Sequence, residues 1–192
     1  MGLEFPFIDA KLRKFIAAQP LYFVASAPAT RDGHVNVSPK GHADTFTVID
    51  EHTVAYLDLT GSGIETIAHA RENGRVTIMF CSFAGPPKIL RLYGQARPVV
   101  LGDPEFDSLA EGFPAYPGAR AVIVVEVTRI ADACGYAVPL MHYEGERDTL
   151  ERFTRNKGNA GMARYRGEEN AVSIDGLPGI AESAAVADTR SR

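Results

Sequence analysis

The run Leu57-Asp58-Leu59-Thr60-Gly61-Ser62-Gly63-Ile64-Glu65-Thr66 has residue types that could hold an anion. A strand-like stretch ends in a glycine loop with hydroxyls, and helical spacing follows. Backbone N–H groups at a helix start, joined by the Thr60, Ser62 and Thr66 hydroxyls, could grip a phosphate. The same spacing has a purely structural reading: Ser62 caps the helix, Glu65 completes a capping box, and the glycines make the turn. Upstream, Ser38-Pro39-Lys40-Gly41 ends an earlier strand. Lys40 is a point charge on a flexible stem, either meeting an anion or solvated in a turn. In Ile89-Leu90-Arg91-Leu92-Tyr93, alternation puts Arg91 on the face opposite Leu90 and Leu92, where it points into water or pairs with an anion.

Other chemistries lack their residues. His34, His42, His52, His69 and His142 form no HxxxH or HExxH arrangement, so no metal site is expected. There is no GxSxG elbow, and no GxGxxG or Walker motif follows a strand. Cys81 and Cys134 are far apart and have no CxxC partner, so both are expected as small core residues in a reducing cytoplasm. A net charge of −4 argues against a nucleic-acid binder. No stretch reaches the roughly 20 apolar residues that cross a bilayer, so no membrane partner is expected. Met1 to Phe7 lacks the features of a secretory signal.

The elements that must position these residues are mostly strands. The 192 residues suit one core, and 45% are hydrophobic. Asp9 is placed to cap a short helix bearing Leu12, Phe15 and Ile16. Strands are expected at Leu21 to Ala27, around Val35 and Val37, and at Phe46 to Ile49 hairpinned to Thr53 to Leu57. Helical spacing returns over Gly61 to Gly74, with Asn73-Gly74 as a stop. Val76 to Phe83, Ile89 to Val100 and Ala121 to Ile130 read as strands, with a short helix within Asp103 to Gly112. Asp148 and Glu151 have capping-box spacing before a helix over Leu150 to Asn156. Many antiparallel strands with few helices imply a closed or nearly closed barrel. Ala181 to Arg192 reads as a disordered tail.

Together, several segments resemble the pyridoxamine 5′-phosphate oxidase-like, FMN-binding split-barrel family. They are His34-Val-Asn-Val-Ser-Pro-Lys40-Gly41, Val54-Ala-Tyr-Leu-Asp58 with Thr60-Gly61-Ser62-Gly63, Glu72-Asn-Gly-Arg-Val-Thr-Ile-Met-Phe80, and Lys88-Ile-Leu-Arg91-Leu-Tyr-Gly94. The resemblance spans about residues 10 to 135. It implies a mainly β fold, the FMN-binding split β-barrel, over residues 1–158. Residues 159–180 would be an extension, either an ordered turn packing on the partner subunit or an exit loop.

The resemblance further implies a homodimer with FMN at the subunit interface and a small-molecule substrate. It places Ser38, Lys40, Asp58, Thr60, Ser62, Thr66 and Arg91 at the cofactor, with Tyr56 as a further flavin contact. The departures are Val35 where the family has arginine, Glu65-Thr66 where it has a basic pair, and Ile89 where it has glutamine. The arginine- and histidine-rich motif that binds substrate phosphate is missing near the end, so vitamin B6 oxidation is not expected. The expected activity is a flavin-dependent oxidoreductase. The alternatives are a split barrel using F420 or haem, or a non-catalytic ligand-binding barrel.

Overall fold

The computed structural model describes residues 2–180. The chain forms β1 (Glu4–Phe5), α1 (Ala10–Ala17), β2 (Tyr22–Ser26), β3 (Asn36–Lys40), β4 (Phe46–Val48) and β5 (Thr53–Leu59). It continues through α2 (Glu65–Asn73), β6 (Arg75–Cys81), β7 (Ile89–Val100), α3 (Phe106–Ala110), β8 (Ala119–Ala133) and α4 (Thr149–Glu169). The strands make one sheet in the order β3-β2-β6-β7-β8-β5-β4, with β1 added along β8.

Alternation along the strands sends one set of side chains inward. Tyr22 and Val24 on β2, Ile78 and Phe80 on β6, Leu90 and Leu92 on β7, and Ile123 and Val125 on β8 are all essentially buried. Each such side chain contributes roughly 1.5–3 kcal/mol of transfer free energy. Helices α1 and α2 add Leu12, Ile16, Ile64 and Ile67 to the same cluster. The sheet curls on itself: β3 and β4 end the strand order, yet Lys40 of β3 touches Asp58 of β5. The result is a mainly antiparallel split β-barrel, as the strand pattern implies.

Local signals succeed where the chain has a strong chemical reason. The Asp9 side chain accepts from the Leu12 amide at 2.8 Å, capping α1. Gly74 closes α2 in the left-handed conformation at φ 72°. Two expected caps fail. Ile64, not Ser62, precedes α2 and makes no side-chain cap, and Asp148 makes none at α4. The last helix also runs well past Asn156 to Glu169, broken at Gly158, whose φ of 62° and ψ of 174° are not helical. Cys81 is buried, but Cys134 is exposed, against the expectation of two core thiols. Cys134 follows the end of β8, where the sheet no longer covers it.

Residues 170–180 fold back onto their own chain. Ile180 is buried in the barrel cluster, and the Arg71 guanidinium donates to the Gly179 carbonyl. The expected tail over 181–192 lies outside the described residues.

Candidate functional site

Side chains directly paired across strands share a face. Lys40, Tyr22, Phe80 and Leu90 form one such row, and three of its four members belong to the core. Lys40 therefore points inward. The neighbouring row, Pro39, Phe23, Met79 and Arg91, points outward. The two basic residues expected to share a ligand thus lie on opposite faces, three strands apart. The period of two could place Arg91 opposite Leu90 but could not relate it to Lys40.

Inside, Asp58 organises a network. Lys40 Nζ donates to Asp58 Oδ1 at 2.6 Å, and Arg120 Nε donates to Oδ2 at 2.7 Å. Asp58 is 1% exposed and Arg120 4%, so they form a buried ion pair, joined by the partly exposed Lys40. Burial pushes the Asp58 carboxyl up, but the charges of Arg120 and then Lys40 outweigh it and hold the group at about 2. The remaining Arg120 donors reach the Gly61 carbonyl at 3.2 Å, the Gly63 carbonyl at 2.7 Å and Asn170 Oδ1 at 2.9 Å. Asn170 Nδ2 donates to the Gly61 carbonyl at 2.8 Å. Arg120 and Asn170 thus fasten the glycine loop from below. Sequence reasoning missed both, because each is distant in sequence and belongs to no local motif.

The other expected residues divide between the two faces. Thr60 is fully buried, and its hydroxyl and amide both donate to the Gly118 carbonyl, at 2.7 and 2.8 Å. Tyr56 is also fully buried, its ring 5.8 Å from Lys40 Nζ, and it faces the core rather than a groove. Thr66 accepts from Asn36 Nδ2 at 3.0 Å, and Ser38 donates to Asn36 Oδ1 at 3.2 Å, so Asn36 links β3 to the first turn of α2. Ser62 is exposed. His69, beneath this junction, is buried with Nδ1 3.0 Å from Ser26 Oγ, and burial pushes its imidazole down.

Between β3 and the start of α2 runs a groove of about 440 Å³ lined by His34, Val35, Asn36, Val37, Ser62 and Gly63, with Glu65 and Ile174 at one side. The first amides of α2 have no intrahelical acceptor, so this end of the groove suits an anion. Glu65 opposes it. Its carboxylate folds back over Gly63 and accepts from the Ile174 amide at 3.4 Å. The C-terminal hook is clamped there by His34, whose amide and ring Nδ1 meet the Asp175 carboxylate at 2.8 and 2.7 Å. Lys40 cannot serve this groove while it pairs with Asp58 inside. A flavin ring placed here would lie against Val35 and Val37, and its phosphate would rest on amides and the Ser62 hydroxyl without a lysine or arginine.

A second cavity, of about 510 Å³, opens at the other end of β3 under residues 139–147. No group of three or more potential metal ligands occurs among the described residues. No helix there is long and apolar enough to cross a membrane.

The model of the pyridoxamine 5′-phosphate oxidase family matches residues 8–134. The chain is 38% identical to the pyridoxamine 5′-phosphate oxidase family protein ustO of Aspergillus flavus, over 94% of this chain and 78% of that protein. Among solved structures it is similar to HupZ of Group A Streptococcus, at 25% identity and a TM-score of 0.50, covering 64% of this chain and 91% of HupZ. An FMN-binding protein of Syntrophomonas wolfei subsp. wolfei is more distant, at 18% identity and a TM-score of 0.46, covering 68% and 85% of the two chains. With its barrel strands, inserted α2 and glycine loop lying inside the matched region, the chain belongs to the pyridoxamine 5′-phosphate oxidase family.

Proposed function

We propose that the protein is an FMN-dependent oxidoreductase of a small-molecule substrate, working as a homodimer with the flavin at the subunit interface. The observation that carries this reading is the groove between β3 and α2. It joins an apolar wall to a helix start carrying unpaired amides and an exposed hydroxyl. A bound flavin would supply the redox chemistry, hydride acceptance and electron transfer. The chain supplies position. Val35 and Val37 would back the ring, while Ser62 and the first α2 amides would hold the phosphate. Arg120 and Asn170 keep the loop in place through the Gly61 and Gly63 carbonyls.

Dimerisation is supported by the outer face of the sheet. Val35 and Val37 are 71% and 60% exposed, and the half-buried Phe23, Met79 and Tyr93 lie along the same face. A contiguous apolar surface of this kind on a soluble chain marks an interaction site. Arg91 belongs to that face, so in a dimer it would meet the interface rather than the barrel interior. The two unpaired thiols suit a reducing cytoplasm.

The test is an absorbance spectrum of the purified protein, then parallel titrations with FMN and riboflavin and a light-scattering mass. Flavin bands, or saturable uptake of one flavin per subunit by a dimer, are the expected results. A colourless monomer that takes up neither flavin would overturn the proposal.

A further inference from the structure

The cavity under residues 139–147 has a wall that the family model does not reach, since the match ends at residue 134. From the barrel come Pro20, Leu21, Pro39 and Phe83; from the strap that follows β8 comes Met141. The strap has no regular secondary structure from Val138 to Asp148. It is pinned at mid-length by the Met141 amide, which donates to the Phe83 carbonyl at 2.9 Å. Leu140 and Met141 are 79% and 58% exposed, although both are apolar.

Glu146 is the one acid among the residues lining this cavity, and its side chain is 37% exposed. The Tyr143 hydroxyl donates to Glu146 Oε1 at 2.9 Å and fixes the carboxylate. The other oxygen, Oε2, hangs over Gly41, only 3.1 Å from where a Cβ would stand, and 3.9 Å from His42 Nδ1. A Cβ at residue 41 would crowd that oxygen, which would have to shift by a few tenths of an ångström. His42 is the one non-glycine residue with positive φ among the described residues, at 57°. Such a conformation is costly and concentrates at binding sites. It sets the imidazole against the Tyr116 ring, 5.1 Å between centroids, with Tyr116 in turn donating to Asp44. His142 and Arg147 also line the cavity, and like Tyr143 and Glu146 they are exposed.

We infer that this cavity is a binding site for a small, one- or two-ring organic molecule with a hydrogen-bond-donating head, an amine or a hydroxyl, which Glu146 Oε2 accepts. The volume lies in the range of small-molecule sites, and the mix of apolar wall with few convergent polar groups is typical of them. A carboxylate or phosphate head placed at Oε2 would meet the like charge of Glu146, which the naphthoate probe tests against the basic residues His42, His142 and Arg147 of the same lining. The cavity shares β3 with the proposed flavin groove, with Pro39 and Gly41 in its wall. As a substrate subsite it rests on the flavin-enzyme reading; as a binding site it stands alone.

The test uses the full chain and three matched probes, naphthylmethylamine, naphthylmethanol and naphthoate, followed by ligand-observed NMR with and without added FMN. The amine and the alcohol should bind saturably, and naphthoate at least about tenfold more weakly. Glu146→Gln should weaken the amine about tenfold while the alcohol changes by less than about threefold. Phe83→Ala should weaken both. Equal binding of naphthoate, indifference of the amine to Glu146→Gln, or no binding of any probe, as when a second copy covers the cavity, would each overturn the inference. FMN uptake is read in the same samples. Probe binding without FMN uptake sinks only the flavin reading, and FMN uptake without probe binding sinks only the cavity.

Discussion

Two acidic residues beside the C-terminal end of β3, Asp58 at Lys40 and Glu146 over Gly41, have opposite surroundings. Asp58 is 1% exposed, and each of its oxygens is taken by a cation. Glu146 has a side chain 37% exposed, with one oxygen fixed by Tyr143 and the other over an open cavity. The first is a closed network whose work is to hold a glycine loop; the second retains capacity for a ligand. Family position alone would put Asp58 at the cofactor and is silent on Glu146. A polar group indicates binding by the capacity left over after its protein partners are counted.

The largest test of that contrast is removal of the central acid. Asp58→Ala leaves the buried Arg120 without a counterion, and should cost about 3–5 kcal/mol in denaturant unfolding. Glu146→Ala should cost less than about 1 kcal/mol, because its contacts are partly solvated. Equal losses would break the comparison.

Acid should act on the same network. The Asp58 carboxyl is held down at about 2, below its unfolded value. Its stabilisation is complete above the unfolded pKa and is lost as pH falls through the folded one. The shift corresponds to about 2 kcal/mol, disappearing between roughly pH 4 and pH 2. Unfolding free energies measured across that window should fall more in the wild type than in Asp58→Asn, and parallel curves would refute the assignment.

An effect smaller than the loss of Asp58 lies in the groove itself. Replacing Glu65 by lysine removes the charge that opposes a phosphate and restores a cation at the start of α2. FMN binding should tighten about tenfold, or about 1.4 kcal/mol, while riboflavin binding stays the same. Equal tightening of both would mean that the phosphate does not rest at the α2 start.

Much of the barrel was legible in the residues. The apolar run Val122 to Val125 became the core of β8, the alternating stretch around Arg91 became β7, and Asn73-Gly74 ended α2. These are short-range effects, in which period and backbone preference act within a few residues. The Ser62 cap misread the same loop because Arg120 and Asn170 hold it by its carbonyls instead. Nothing local could reveal that, since those donors are 57 or more residues away.

By itself, the sequence determined which faces are apolar, where strands and helices alternate, and the family. That information is local or carried by segment order. The tertiary structure alone decided which way each charge points. It turned Lys40 inward to Asp58 and Arg91 outward, and gathered Arg120 and Asn170 under the glycine loop. It also left Glu146 over Gly41. Strand pairing and barrel closure set these outcomes, because they choose the partners of residues that the chain keeps far apart.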